Sequence, residues 1–182
     1  MQEIKVKSFI HYQETVLPFL ENSRVRPLFR GVTDSKYELL TTIGLICLKL
    51  KYDKAAANRL ESRILSNFKR KAIPHLERIP QNVWEWLVLA RHHGFPARVL
   101  DWTLSPFVAL YFALEGSFKT DRAVYVLQNF SHADVEQSPS PFDIEDVRRI
   151  SPPHFTKRII AQSGEFTIHP DFMKPYSSDD HV

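Results

Sequence analysis

The sequence predicts an α+β fold, a single domain in which N-terminal and central helices pack on a small, mainly antiparallel sheet. Three observations lead there. Apolar residues at helical spacing are concentrated before residue 116, and extended apolar runs fall mostly after it, with one short run near residue 28. A chain of 182 residues also buries roughly two-thirds of its unfolded surface on folding, enough for one substantial core.

Taken in order, residues 8–21 place Phe9, Ile10, Tyr12, Val16, Leu17 and Leu20 near helical spacing, with Pro18 expected to bend the helix. Residues 26–32 form a strand-like run containing Arg30 and Gly31. Residues 53–76 are the clearest helix. Leu60, Ile64, Phe68 and Ala72 recur every four residues, and Asp53 is suited to cap the first turn. The next helix begins after Pro80 and stops at Gly94-Phe95-Pro96, where glycine takes the left-handed position and proline forbids continuation. His92 and His93 therefore end a helix. Ser105-Pro106 is the complementary start signal, and the helix that follows, 106–114, is apolar almost all round, which predicts central burial. The eleven residues from Gly94 to Leu104 are left as a tight connection carrying Arg98, Asp101 and Trp102. Residues 123–127 have the pattern of a buried strand. Residues 131–156 are rich in proline and charge and predict a surface excursion with one short helix at 144–149. Residues 158–162 and 166–169 read as extended pieces kinked at Ser163-Gly164, and the tail is expected to fray.

Composition narrows the function classes. With 43% apolar, 12% aromatic and 25% charged residues, the chain is neither disordered nor fibrous. No apolar run approaches the roughly 20 residues of a membrane span, and the first seven residues lack the apolar core of a signal peptide. The single cysteine, Cys47, sits among Ile43, Leu45, Ile46 and Leu48 as a small buried hydrophobe, so no internal disulfide forms and a cytoplasmic location is expected. The net charge of +3 and pI near 9.0 permit phosphate-bearing partners without requiring them. Lys49, Lys51 and Lys54, and again Lys69, Arg70 and Lys71, fit either a solvated helix face or a nucleic-acid patch.

Familiar chemistry is mostly excluded. No His-x-x-x-His or Cys-x-x-Cys pair exists, and the adjacent His92 and His93 point about 100° apart on a helix, so no metal is expected. Dinucleotide-fold, P-loop and serine-hydrolase glycine motifs are absent. Arg98 and Asp101, three residues apart in the expected turn, fit a structural ion pair clamping it or part of a site. Arg30 is followed by Gly31, which lets a ligand or another chain approach the backbone, and an arginine fork grips phosphate bidentately.

The stretches PLFRGVTDSKYEL, WEWLVLARHHGFPARVLDWTLSPFVALYFAL and IIAQSGEFTIHP together resemble the FRG domain family, named for its Phe-Arg-Gly motif. Phe29-Arg30-Gly31, His93-Gly94, Pro96, Arg98, Leu100 to Thr103, Ala109-Leu110, Phe112-Ala113, Gln162, Gly164 and Phe166 stand at motif positions. The resemblance divides the chain into a helical segment at 1–26, an FRG domain at 27–170 and a tail at 171–182. Arg91, Ala97 and Val99 depart from the family pattern, and loss of the usual threonine hydroxyl at 97 is expected to weaken a ligand contact.

A weaker resemblance, to ADP-ribosyltransferases, rests on Arg30-Gly31, then Thr103 or Ser105 with Tyr111, then Glu165 in chain order. It implies an NAD-using transferase or glycohydrolase, of the kind found in toxins and phage-defence effectors, with NAD as substrate. Arg30, His93, Asp101 and Glu165 would be catalytic; Arg30, Gly31, Arg98, Thr103, Ser105, Tyr111 and Gln162 would hold the nucleotide. Each has a plainer reading, since Tyr111 and Phe112 fit core aromatics, Ser105 a helix cap and Glu165 a solvated turn. The alternative function is a non-catalytic module that binds nucleic acid, a nucleotide or a protein partner.

Overall fold

The computed structural model describes residues 2–116, 119–128, 140–151 and 163–177. Helix α1 spans Phe9–Glu21, followed by strand β1 (Leu28–Val32) and helices α2 (Thr42–Lys49), α3 (Lys54–Ala72) and α4 (Val83–His92). Strand β2 (Val99–Thr103), helix α5 (Pro106–Leu114) and strands β3 (Ala123–Leu127), β4 (Arg148–Ile150) and β5 (Gly164–Ile168) follow among the described residues. A side-chain oxygen caps each of these five α-helices: Ser8, Thr41, Asp53, Asn82 and Ser105 each accept from the amide three residues on, satisfying a donor the first turn leaves free.

The five strands form one sheet in the order β3-β1-β2-β5-β4, antiparallel at every pairing, which makes the domain α+β. Alternation along the strands separates two layers. Phe29 of β1 meets α1 and α5 through Tyr12, Val16 and Ala109. Val99, Phe166 and Ile168 meet α3 and α4. On the opposite face Leu28, Leu100 and Trp102 pack under Leu39 and Tyr176.

Several sequence expectations are corrected here. The segment expected as a tight connection contains β2, which pairs with both β1 and β5. Both of its faces are covered, so the polar-apolar alternation that marks a half-exposed strand is missing. Helix α5 is not centrally buried: Pro106, Ala109 and Ala113 are buried, whereas Phe107, Tyr111 and Leu114 are 47%, 65% and 46% exposed. Its small residues seat it against β1 so closely that a Cβ on Gly31 would lie 1.9 Å from the Ala109 carbonyl oxygen. Phe107, Tyr111 and Leu114 are thereby left outside, whereas Val108, Leu110 and Phe112 are half-buried.

In α3 the buried stripe is Ala57, Glu61, Leu65 and Phe68, one position off the expected Leu60 and Ile64, which are half-buried. Strand β3 is half-buried along its length because it stands at the sheet edge. Arg148 and Arg149, expected at the end of a short helix over 144–149, belong with Ile150 to β4, paired against β5.

Helix α2 has no counterpart in the sequence reading. It is pinned by the C-terminal segment: Thr41 Oγ1 donates to the Phe172 carbonyl at 2.8 Å, and a Cβ on Gly44 would meet that carbonyl oxygen at 1.8 Å. Phe172 and Tyr176, from the tail expected to fray, are buried. The extended piece expected at 158–162 lies outside the described residues, as do 131–139 and 152–156 of the expected excursion.

Candidate functional site

A cleft of about 900 Å³ opens where β1 and β2 part company. The two strands share a single register pair, Phe29 with Thr103, whereas β1–β3 and β2–β5 each pair over five residues. Beyond that pair, Arg30 Nη1 donates to the main-chain carbonyl of Asp101, so a side chain supplies a donor where the ladder has run out. The C-terminal turn of α4 closes one end with Arg91, His92 and His93. Tyr37 and Phe112 add aromatic walls, and Gly164 and Glu165 of β5 reach the lining.

Asp101 is the centre of the polar floor. Its Oδ2 accepts from Arg91 Nε at 2.9 Å and Nη2 at 2.6 Å, and Arg30 Nη1 stands 3.7 Å from the same oxygen. Arg91 is fixed further by donating from Nη1 to Thr42 Oγ1 at 3.0 Å. Burial pushes the Arg30 guanidinium below its usual value; Asp101 pulls it back up, and the like charge of Arg91 lowers it again. Both arginines stay charged, since guanidinium is not deprotonated in proteins. Two cations therefore share one carboxylate, and the floor of the cleft retains positive charge to offer an anion.

Glu165 is compensated separately. Its Oε2 accepts from Arg149 Nε at 3.0 Å and Ser151 Oγ at 2.8 Å, and the carboxylate is buried. Tyr37 is exposed at the rim, with its carbonyl accepting from the Tyr125 hydroxyl at 3.1 Å.

Of the residues named from the sequence, the structure brings Arg30, Gly31, His93, Asp101, Thr103 and Glu165 to one cleft. Gly31 is required by the close approach of α5 rather than of a ligand. Thr103 is buried, with its hydroxyl accepting from Ser105 N at 3.0 Å to shape the turn into α5. Ser105 caps α5, accepting from Val108 N at 3.3 Å, and does not line the cleft. Tyr111 is on the outer face of α5, away from the cleft, whereas its neighbour Phe112 lines it. Gln162 lies outside the described residues.

Arg98 is a second correction. It does not pair with Asp101, because residues three apart in extended chain stand about 10 Å apart and project to opposite faces. Instead Arg98 turns inward. Its Nε donates to Glu61 Oε2 at 2.8 Å, its own amide donates to Glu61 Oε1 at 2.8 Å, and Nη2 donates to Asn58 Oδ1 at 3.0 Å. The rings of Phe142 and Phe172 lie 4.7 and 4.8 Å from its guanidinium carbon. Arg98 is thus a buried clamp between β2, α3 and the C-terminal segment. Ala97 is 1% exposed within the core, so a hydroxyl there would face α3 and α4 and not a ligand. Trp102 is likewise structural, donating from Nε1 to Thr167 Oγ1 at 2.8 Å.

Sequence reasoning missed Arg91, Tyr37, Glu61 and Arg149 as participants. Glu61 had a readable signal, a carboxylate set in the stripe Ala57, Leu65 and Phe68. Arg91 had one too, as a departure from the family pattern beside two histidines. Among the described residues no group of three or more His, Cys, Asp or Glu could hold a metal ion, and no helix is long and apolar enough to cross a membrane.

None of the curated proteins or solved structures compared matches the chain. Residues 26–122 match the FRG domain, a span that holds β1 through α5 with Arg30, Arg91, His93 and Asp101 and leaves out Glu165. As that match covers more than half of the sequence, the chain belongs to the FRG domain family.

Proposed function

We propose that the cleft binds the phosphates of a nucleotide and that the protein is an enzyme using NAD as substrate, an ADP-ribosyltransferase or NAD glycohydrolase. The observation that carries this reading is the convergence of Arg30 and Arg91 on Asp101, with Glu165 and two aromatic side chains in the same lining. The arginine forks match the pyrophosphate of a dinucleotide. As phosphate oxygens take over the guanidinium donors, the Asp101 carboxylate is released from its partners to face the positive charge that develops on the ribose. Tyr37 and Phe112 offer π-faces for nicotinamide or adenine.

Cleavage of the bond between nicotinamide and ribose passes through an oxocarbenium-like state, which a carboxylate stabilises. Nicotinamide leaves with the bonding electron pair, and water or a target nucleophile bonds to the anomeric carbon and gives up a proton. In this reading His93, exposed at the end of α4 and in the lining of the cleft, accepts it. Such chemistry fits a toxin or phage-defence effector, through either NAD depletion or modification of a target.

The test is incubation of the purified protein with NAD, alone and with protein, DNA and RNA acceptors, followed by mass spectrometry for free nicotinamide and for labelled acceptor. Arg30→Lys keeps the charge but loses the fork, and is expected to reduce turnover about 100-fold or more. Glu165→Gln, which keeps a hydrogen-bond acceptor for Ser151, is expected to do the same. Absence of nicotinamide release together with absence of NAD binding by calorimetry would overturn the reading.

A further inference from the structure

We infer that the outer face of α3 is a docking surface for the phosphate backbone of a nucleic acid. Charge in this chain is segregated. Residues 49–76 hold eight of the 24 lysines and arginines but two of the 21 acidic residues, Asp53 and Glu61. Asp53 is spent on the helix cap, and Glu61 is buried against Arg98. This stretch therefore carries twice the chain's net charge of +3, and the remainder of the molecule is net acidic.

Within it, Arg59, Arg63 and Arg70 are exposed. At about 100° per residue they fall within about 40° of one another around the helix, on the side opposite Ala57, Glu61 and Phe68. The row runs about 16 Å along the axis. Among the described residues none of the three forms an ion pair; Arg70 donates only to Asn67 Oδ1, at 2.9 Å. Placement at the helix C-terminus accounts for Lys69, Arg70 and Lys71 as partners of the helix dipole. It does not account for Arg59 and Arg63, which lie mid-helix and repel one another at i,i+4 spacing.

The residues between the arginines decide the partner. Ser62, Ser66 and Asn67 are exposed hydroxyl and amide donors of the kind that contact phosphate oxygens. A helix lying on a membrane needs large apolar side chains on the buried side of its interface, and the exposed side of α3 has none. Guanidinium forks prefer phosphate geometry, and a phosphodiester chain offers charge repeated along the row. Phe68, on the buried side of the same helix, lies against His93 of the cleft, with ring centroids 6.0 Å apart.

The experiment is fluorescence anisotropy with a labelled DNA of about 20 nucleotides, single-stranded and as a duplex, across a salt series. Binding in the range of roughly 1–100 µM at physiological salt is expected, weakening steeply as salt rises. The triple variant R59Q/R63Q/R70Q is expected to bind at least about ten-fold more weakly, with the logarithmic salt slope smaller by about two to three. If the triple variant does not fold, Arg63→Gln alone, with a loss of about three-fold, gives the same reading. Arg30→Lys is expected to leave binding unchanged, which separates this surface from the cleft. Failure of the wild-type protein to bind DNA, an unchanged affinity in the variants, or binding confined to vesicles containing anionic lipid would each overturn the inference. Loss of binding in Arg30→Lys with retention in the triple variant would overturn it as well, by placing the polyanion in the cleft.

Discussion

Between the rings of Phe142 and Phe172, Arg98 gives Nε and Nη2 to Glu61, with both side chains almost wholly buried. Removing one partner leaves a charge uncompensated in the interior, whereas replacing both restores an apolar contact. Glu61→Gln is therefore expected to cost about 3–5 kcal/mol, which in a chain of this size lowers the melting temperature by roughly 6–20 °C in a thermal scan. The double variant E61L/R98M is expected to regain most of that loss. Gly31→Ala is expected to destabilise by several kcal/mol, since its Cβ would sit 1.9 Å from the Ala109 carbonyl oxygen on rigid helix backbone. At this scale the sequence was informative about which residues matter and poor on why. Arg98 was read as a clamp on Asp101 or as a nucleotide contact, but its partner is 37 positions earlier in the chain, beyond any local spacing rule. Asp101 was marked as a site residue, and its strongest partner proved to be Arg91 on the neighbouring helix.

Among elements, boundaries set by punctuation were legible and burial was not. Asp53 and Ser105 were readable as a cap and a start signal, and Gly94 has a φ of 79°, the left-handed stop expected of it. Helix α5 shows the limit. Its composition says only that it is apolar, and which side faces the sheet follows from the fit of Ala109 and Ala113 against Gly31. The exposed side should therefore be tolerant: Phe107→Ser and Leu114→Gln are each expected to change stability by no more than about 0.5 kcal/mol in urea titrations. Ala109→Leu, on the opposite side, is expected to cost about 1–3 kcal/mol or more through overpacking. Strand β2 was invisible for the complementary reason, because a strand covered on both faces has no alternation to display.

For the molecule as a whole, the α+β class was legible because it depends on where helical and extended runs fall along the chain. The cleft was not, since it is assembled from β1, α4, β2 and β5 and from a loop residue, Tyr37. Two buried acids tie the whole fold to pH. Burial raises the Tyr12 hydroxyl, which donates to the Pro106 carbonyl at 2.7 Å, and burial aided by Glu61 raises the Cys47 thiol. Raised values in the folded state mean that ionisation is favoured in the unfolded chain. Stability is therefore full below the ordinary values of these groups and falls as pH rises through and above them, which chemical denaturation at alkaline pH is expected to record. Cys47 also reports global opening, as a thiol reagent at neutral pH is expected to modify it only at the rate at which the core unfolds.

The single register pair between β1 and β2 has a mechanical meaning. The sheet is two ladders, β3–β1 and β2–β5–β4, fastened to each other by one rung at Phe29 and Thr103 and by the guanidinium of Arg30. A molecule seated in the cleft touches both ladders at once and acts as a second fastening. Amide exchange at Gly31 and Asp101, whose N–H groups face the seam, should then be fast in the free protein for residues so central to a sheet, and should slow when the cleft is filled. Ligand occupancy is thus readable as stiffness at that seam, even for a ligand that is never turned over.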